Sequence, residues 1–142
     1  APVQAIWGGA AGSTVAVSNL ERGTYLAKLI SFDIDGTLEV GDPPGAVTMD
    51  MVRNAQSAGY LIGSCSDRTI SNQERIWKEH GIVVAFTVLK QKLADLKARF
   101  QAEEYYHIGD SAIDRYVSGQ AGFHFLDPDD GARRLLSLDG NF

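Results

Sequence analysis

Lys28-Leu29-Ile30-Ser31-Phe32-Asp33-Ile34-Asp35-Gly36-Thr37 is the stretch on which the fold turns. A short apolar run that ends abruptly in acids and a glycine reads as a buried strand, here Lys28 to Ile34, opening into a tight turn. Outward from it, short apolar runs alternate with helical patterns to the end of the chain, the signature of successive βα units. Asp42-Pro43-Pro44-Gly45 marks a loop, after which Thr48 caps a helix that stops near Gly59. Tyr60 to Cys65 reads as the second strand. Ser71 and Glu74 have capping-box spacing, which predicts a helix from there to His80 with Gly81 as its stop. Ile82 to Val88 reads as strand three, and Leu93, Leu96 and Phe100 recur at helical spacing before strand four, Tyr105 to Ile108. A short helix from Ala112 to about Gln120, a fifth strand at Phe123 to Leu126 and a last helix introduced by Asp127-Pro128-Asp129-Asp130 complete the pattern. The expected architecture is α/β: a three-layer, Rossmann-like, open and mainly parallel five-stranded sheet with helices on both faces.

Composition agrees with one such domain. The chain has 142 residues, of which 44% are hydrophobic and 22% charged, enough to form a single core without a structural metal. The one cysteine, Cys65, gives no disulfide framework and leans towards a reducing, cytoplasmic compartment. Apolar runs fall well short of the roughly 20 residues of a spanning helix, so no membrane segment is predicted. A formal charge of −5 lends no support to a nucleic-acid substrate without excluding one, because acids gathered at one site and neutralised by a cation would inflate it. Residues 1–25 differ from the rest, being rich in Gly, Ala, Ser and Thr. They read as an N-terminal extension for which a hairpin from Val3 through Gly8-Gly9 to Val17, an oligomer contact and a flexible remnant all stand open.

The chemistry gathers at the strand ends. Residues two apart in a strand point the same way, so Asp33 and Asp35 emerge together, and Gly36 lets the backbone turn beside them. Two carboxylates in a small space call for a cation, a proton or both. Ser64 and Ser66 close strand two, Lys90 and Lys92 follow strand three, and Asp110 and Asp114 follow strand four. In an open parallel sheet, ligands bind beyond these carboxyl ends. Each residue alone has an ordinary structural reading: strand ends are polar because loops are solvated, and Asp114 stands at capping-box distance from Ser111. His80, His107 and His124 read as ordinary helix-end and strand residues.

With those residues in view, residues 26–142 resemble the haloacid dehalogenase-like (HAD) superfamily. Asp33-Ile34-Asp35-Gly36-Thr37 matches its first motif, Ser66 its second, Lys90 its third, and Gly109-Asp110 with Asp114 its fourth, in the family's order. Ser66 is preferred to Ser64 because Ser66-Asp67-Arg68 resembles the Thr-Gly-Arg form of the second motif, and Lys90 to Lys92 because it follows the strand directly. The resemblance implies a magnesium-dependent phosphomonoester hydrolase. Asp33 would be the nucleophile that forms an aspartyl-phosphate, and Asp35 the acid/base. Asp33, the Asp35 carbonyl, Asp110 and Asp114 would hold Mg2+, while Ser66 and Lys90 would hold the phosphoryl oxygens. A carboxylate at position 35 favours phosphatase over dehalogenase chemistry, since a departing halide needs no proton.

Too few residues separate the motifs for a sizeable cap domain. By the same resemblance, an open site is expected to serve a phosphorylated and often macromolecular substrate. A signalling receiver domain also combines acids, a hydroxyl and a lysine, but in another order along the strands. The competing expectation is a phosphate-binding or interaction module of the same fold with little turnover.

Overall fold

The computed structural model describes residues 26–140, with side chains placed as far as residue 137. The hairpin read at Val3 to Val17 lies outside the described residues. Strand β1, Leu29–Phe32, is buried at every position. It is followed by α1 (Met49–Ser57), β2 (Leu61–Ser66), α2 (Ile70–Glu79) and β3 (Phe86–Leu89). A 3-10 helix, Lys90–Asp95, runs into the single turn α3, Leu96–Arg99; β4 (Tyr105–Ile108), α4 (Ala112–Ala121), β5 (His124–Leu126) and α5 (Asp130–Gly140) complete the chain.

The five strands lie in the order β3-β2-β1-β4-β5, every neighbouring pair parallel. The chain therefore winds outward from β1 to one edge, returns past it, and winds to the other. Side-chain alternation sorts the core into two layers. Ile30, Phe32, Ile62 and Ile108 pack with Val52 and Ala55 of α1, Trp77 of α2 and Leu136 of α5. Leu29, Cys65, Phe86 and Val88 pack on the opposite face against Leu93, Leu96 and Ala121. This is the expected three-layer, Rossmann-like architecture, without a cap domain among the described residues. No described helix is long and apolar enough to cross a membrane.

Local chemistry explains the helix limits. Thr48 accepts from the Met51 amide at 3.1 Å and caps α1 as expected. Helix α2 begins earlier than the Ser71 reading placed it, because Thr69 takes the cap: its backbone is extended and its Oγ1 accepts from the Asn72 amide at 3.1 Å. The third strand is shorter than Ile82 to Val88. The Ile82 amide closes α2 on the Trp77 carbonyl, and Val83 is 84% exposed, which a position in the sheet interior would not allow. Phe100 shares helical spacing with Leu93 and Leu96 yet is extended, turning its ring onto Phe86. At the other end, Asp127 accepts from the amides of Asp129 and Gly131, so α5 starts at Asp130 and Pro128 stands in the turn before it. Gly63 is required where β2 meets β3: a Cβ there would lie 2.3 Å from the Phe86 carbonyl oxygen.

Candidate active site

Helix α1 follows β1 on one face of the sheet and α4 follows β4 on the other, so a crevice opens between the carboxyl ends of these adjacent strands. Asp33 lies directly beyond β1. Its amide donates to the Ile108 carbonyl at 2.9 Å, tying it to β4, and its Oδ1 accepts from the Ile34 amide at 2.7 Å. Across the crevice, Ser111 caps α4. Its Oγ accepts from the Asp114 amide at 3.2 Å and donates to Asp114 Oδ2 at 2.8 Å. Asp114 is thus a capping-box residue whose other oxygen, Oδ1, lies 3.4 Å from Lys90 Nζ. Asp33, Asp110 and Asp114 each present a carboxylate oxygen within 4.8 Å of the others, Asp33 and Asp114 buried and Asp110 exposed.

Close backbone approach makes this clustering possible. Gly36 has φ +77°, and a Cβ on it would lie 1.9 Å from Asp110 Oδ2. The Asp110 carboxylate therefore rests against bare backbone.

Lys90 is the counter-ion. Its Nζ lies 3.2 Å from Asp33 Oδ2, 3.4 Å from Asp114 Oδ1 and 3.7 Å from Asp67 Oδ2. Burial disfavours the ammonium, but the Asp33 and Asp114 charges outweigh burial and raise its pKa. The Asp33 pKa rises too: burial first, then the hydrogen bond and charge of the neighbouring Asp114, push its carboxyl up to about 7. Asp114 keeps its charge. Burial opposes ionisation there, while hydrogen bonds headed by that from His107 hold it well below the usual carboxylate range. The pair thus retains one proton where two ordinary carboxylates would have none.

Asp35 faces outward and is clasped by Arg68, with Nη2 2.6 Å and Nε 3.2 Å from Oδ1 and Nε 3.2 Å from Oδ2. The Asp42 amide also donates to Asp35 Oδ1, at 2.7 Å. The guanidinium's hydrogen bonds hold the Asp35 pKa below its ordinary value. Ser66, buried at the end of β2, accepts from the Arg68 amide at 3.0 Å. Ser64 is committed elsewhere, receiving Trp77 Nε1 at 2.9 Å and donating to Gln73 Oε1 at 2.6 Å inside the α2 layer. Lys92 is exposed, away from the buried Lys90.

Two residues escaped the sequence reading. Arg68 entered it only as part of a motif, without a partner. His107 read as an ordinary strand residue, yet it is fully buried, with Nε2 2.8 Å from Asp114 Oδ1 and Nδ1 2.9 Å from Ser31 Oγ. Residues 31 and 107 sit opposite each other where β1 pairs with β4. That pairing is the signal that could have found the contact, and it needs the strand order.

The donor set fits a small, hard divalent cation. Three carboxylates against one ammonium leave an excess of negative charge, every donor is oxygen, and the exposed side at Asp110 leaves room for water ligands. Thr37 Oγ1, next to Gly36 in the chain, is buried and has no hydrogen-bond partner among the described residues. Two shallow grooves lie along the outer edges of the sheet, beside Trp77 and Phe86 and beside Arg115 and Phe125. Neither covers the carboxylates. No protein-family model matches this chain, and no curated protein matches it either.

Proposed function

We propose that the chain is a magnesium-dependent phosphomonoester hydrolase of the HAD-like type that works through an aspartyl-phosphate on Asp33. The observation that carries this reading is the placement of Lys90 between Asp33 and Asp114, with Asp110 beside them, in the crevice between β1 and β4. A carboxylate oxygen, an ammonium and further carboxylates held within a few ångströms suit in-line displacement at phosphorus.

Asp33 attacks phosphorus as its carboxylate, the bond from phosphorus to the ester oxygen breaks, and Asp35 supplies the proton that the leaving oxygen takes. Water then attacks the aspartyl-phosphate, Asp35 receives its proton, and orthophosphate leaves. Lys90 and the Ser66 hydroxyl hold the phosphoryl oxygens as charge moves among them. Asp33, Asp110, Asp114 and the Asp35 carbonyl would hold magnesium, which supplies charge neutralisation between an anionic nucleophile and an anionic substrate. Arg68 must loosen its hold before Asp35 can carry a proton, and an arriving phosphate dianion is a competitor for its guanidinium. The open approach to the carboxylates suits a phosphate borne on a large substrate.

The test is metal dependence in a phosphate-release assay. Chelation should abolish release, added Mg2+ should restore it, and Asp110→Asn should raise the Mg2+ concentration needed. Release indifferent to chelation contradicts the reading, and tight orthophosphate binding without turnover on a broad ester panel favours a binding module.

A further inference from the structure

Beneath the carboxylates runs a buried polar chain that the proposed reaction does not use. Ser31 Oγ lies 2.9 Å from His107 Nδ1, and His107 Nε2 lies 2.8 Å from Asp114 Oδ1. Ser31, His107 and Asp114 have no exposed surface at all. Within an apolar layer that holds Leu29, Cys65 and Phe86, such groups are costly unless they hydrogen-bond one another. An ionised carboxylate only accepts, so Nε2 donates to Asp114; in the neutral ring Nδ1 then accepts from the Ser31 hydroxyl.

Asp114 has two oxygens with different neighbours. Oδ2 accepts from the Ser111 amide and hydroxyl on its own helix, whereas Oδ1 faces His107 and Lys90. The capping box fixes the carboxylate to α4, and the His107 hydrogen bond ties it to β4, beside its contact with Asp33. We infer that His107, itself aligned by Ser31, is a positioning residue that sets the Asp114 carboxylate, and Lys90 with it, at the distance from Asp33 and Asp110 that a divalent cation requires. The inference rests on the reading of these carboxylates as a metal site. Hydrogen-bond partners behind metal-ligating carboxylates commonly contribute 10- to 100-fold in affinity.

The experiment is titration of the metal-free full chain with Mg2+ by calorimetry, comparing wild type, His107→Leu, His107→Gln and Ser31→Ala, each with its melting temperature. Leucine removes both ring nitrogens, whereas the glutamine amide can return an N–H near the Nε2 position. His107→Leu should weaken Mg2+ binding by roughly 10- to 100-fold, His107→Gln should regain most of it, and Ser31→Ala should show a smaller loss in the same direction. A merely structural histidine would lower the melting temperature and leave the affinity of the folded protein alone. Should His107→Leu not fold, the Gln and Ala variants carry the comparison. Unchanged affinity in folded variants, with wild type binding Mg2+ normally, overturns the positioning role alone. Failure of wild type to bind Mg2+ overturns the metal site as well.

Discussion

Asp33 and Asp114 divide one proton between them, and that division has a measurable cost. In the unfolded chain both carboxyls titrate near 4. Between about pH 4 and 7 the folded protein holds a proton on Asp33 that the unfolded chain has lost, so metal-free stability falls as pH rises through this window. Below pH 4 the sign reverses: the unfolded chain protonates Asp114 while the folded protein resists it, and stability falls as pH drops. Melting followed against pH without metal should show the upper limb with a slope of up to about 1.4 kcal/mol per pH unit, and Asp33→Asn should flatten it. An unchanged limb in that variant would place the proton elsewhere. Arg68 gives a second test. Its hydrogen bonds lower the Asp35 pKa, so Arg68→Gln should raise it and carry the alkaline limb of kcat/KM, where the acid loses its proton, to higher pH. A limb that stays in place would show that Arg68 does not govern Asp35. Of the site, the acids and Lys90 were legible because each follows an apolar run in the chain. Arg68 and His107 were not, since their partners stand 33 and 7 residues away and only tertiary placement joins them.

The turn between β1 and α1 brings Asp110 against the backbone, and Gly36 is its hinge. Gly36→Ala meets two obstacles: a backbone at φ +77°, which a Cβ disfavours by roughly 1–2 kcal/mol, and the Asp110 carboxylate in the space the methyl would fill. The variant should therefore lose Mg2+ affinity as well as stability, whereas a pure backbone effect would lower the melting temperature alone. Among the described residues element type was mostly readable because apolar runs and caps are local signals, although the helix expected over Leu93 to Phe100 is a 3-10 helix followed by one α turn. Element limits were less so where tertiary contacts compete. Thr69 displaces Ser71 as a cap because it stands first after the turn at Asp67-Arg68, and Ile82 to Ala85 have strand-like side chains, but the Ile82 amide goes to α2 and the Ala85 amide makes a single bond with Ile62.

At the scale of the molecule, the strand order β3-β2-β1-β4-β5 makes the site: β1 and β4, far apart in sequence, become neighbours whose helices diverge. The Asp33-to-Gly36 stretch did not imply that order, since no local pattern states which strand lies beside β1. Core and site should prove separable. Leu136→Ala, in the α5 layer, should cost about 2–5 kcal/mol of stability while leaving the Mg2+ affinity of the folded protein unchanged. Mg2+ at a hundred times its Kd should add about 2.7 kcal/mol to wild type by mass action. In the proposed reaction Asp33 carries the phosphoryl group. Its most direct test is acid-quenched mass spectrometry during turnover of an aryl phosphate with Mg2+, beside phosphate release by wild type and Asp33→Asn in one preparation. The expected result is a phosphoryl adduct on the wild-type peptide that bears Asp33, and release at least roughly a thousandfold faster than in the variant. Equal release by the two proteins, or an adduct on another residue, would contradict it.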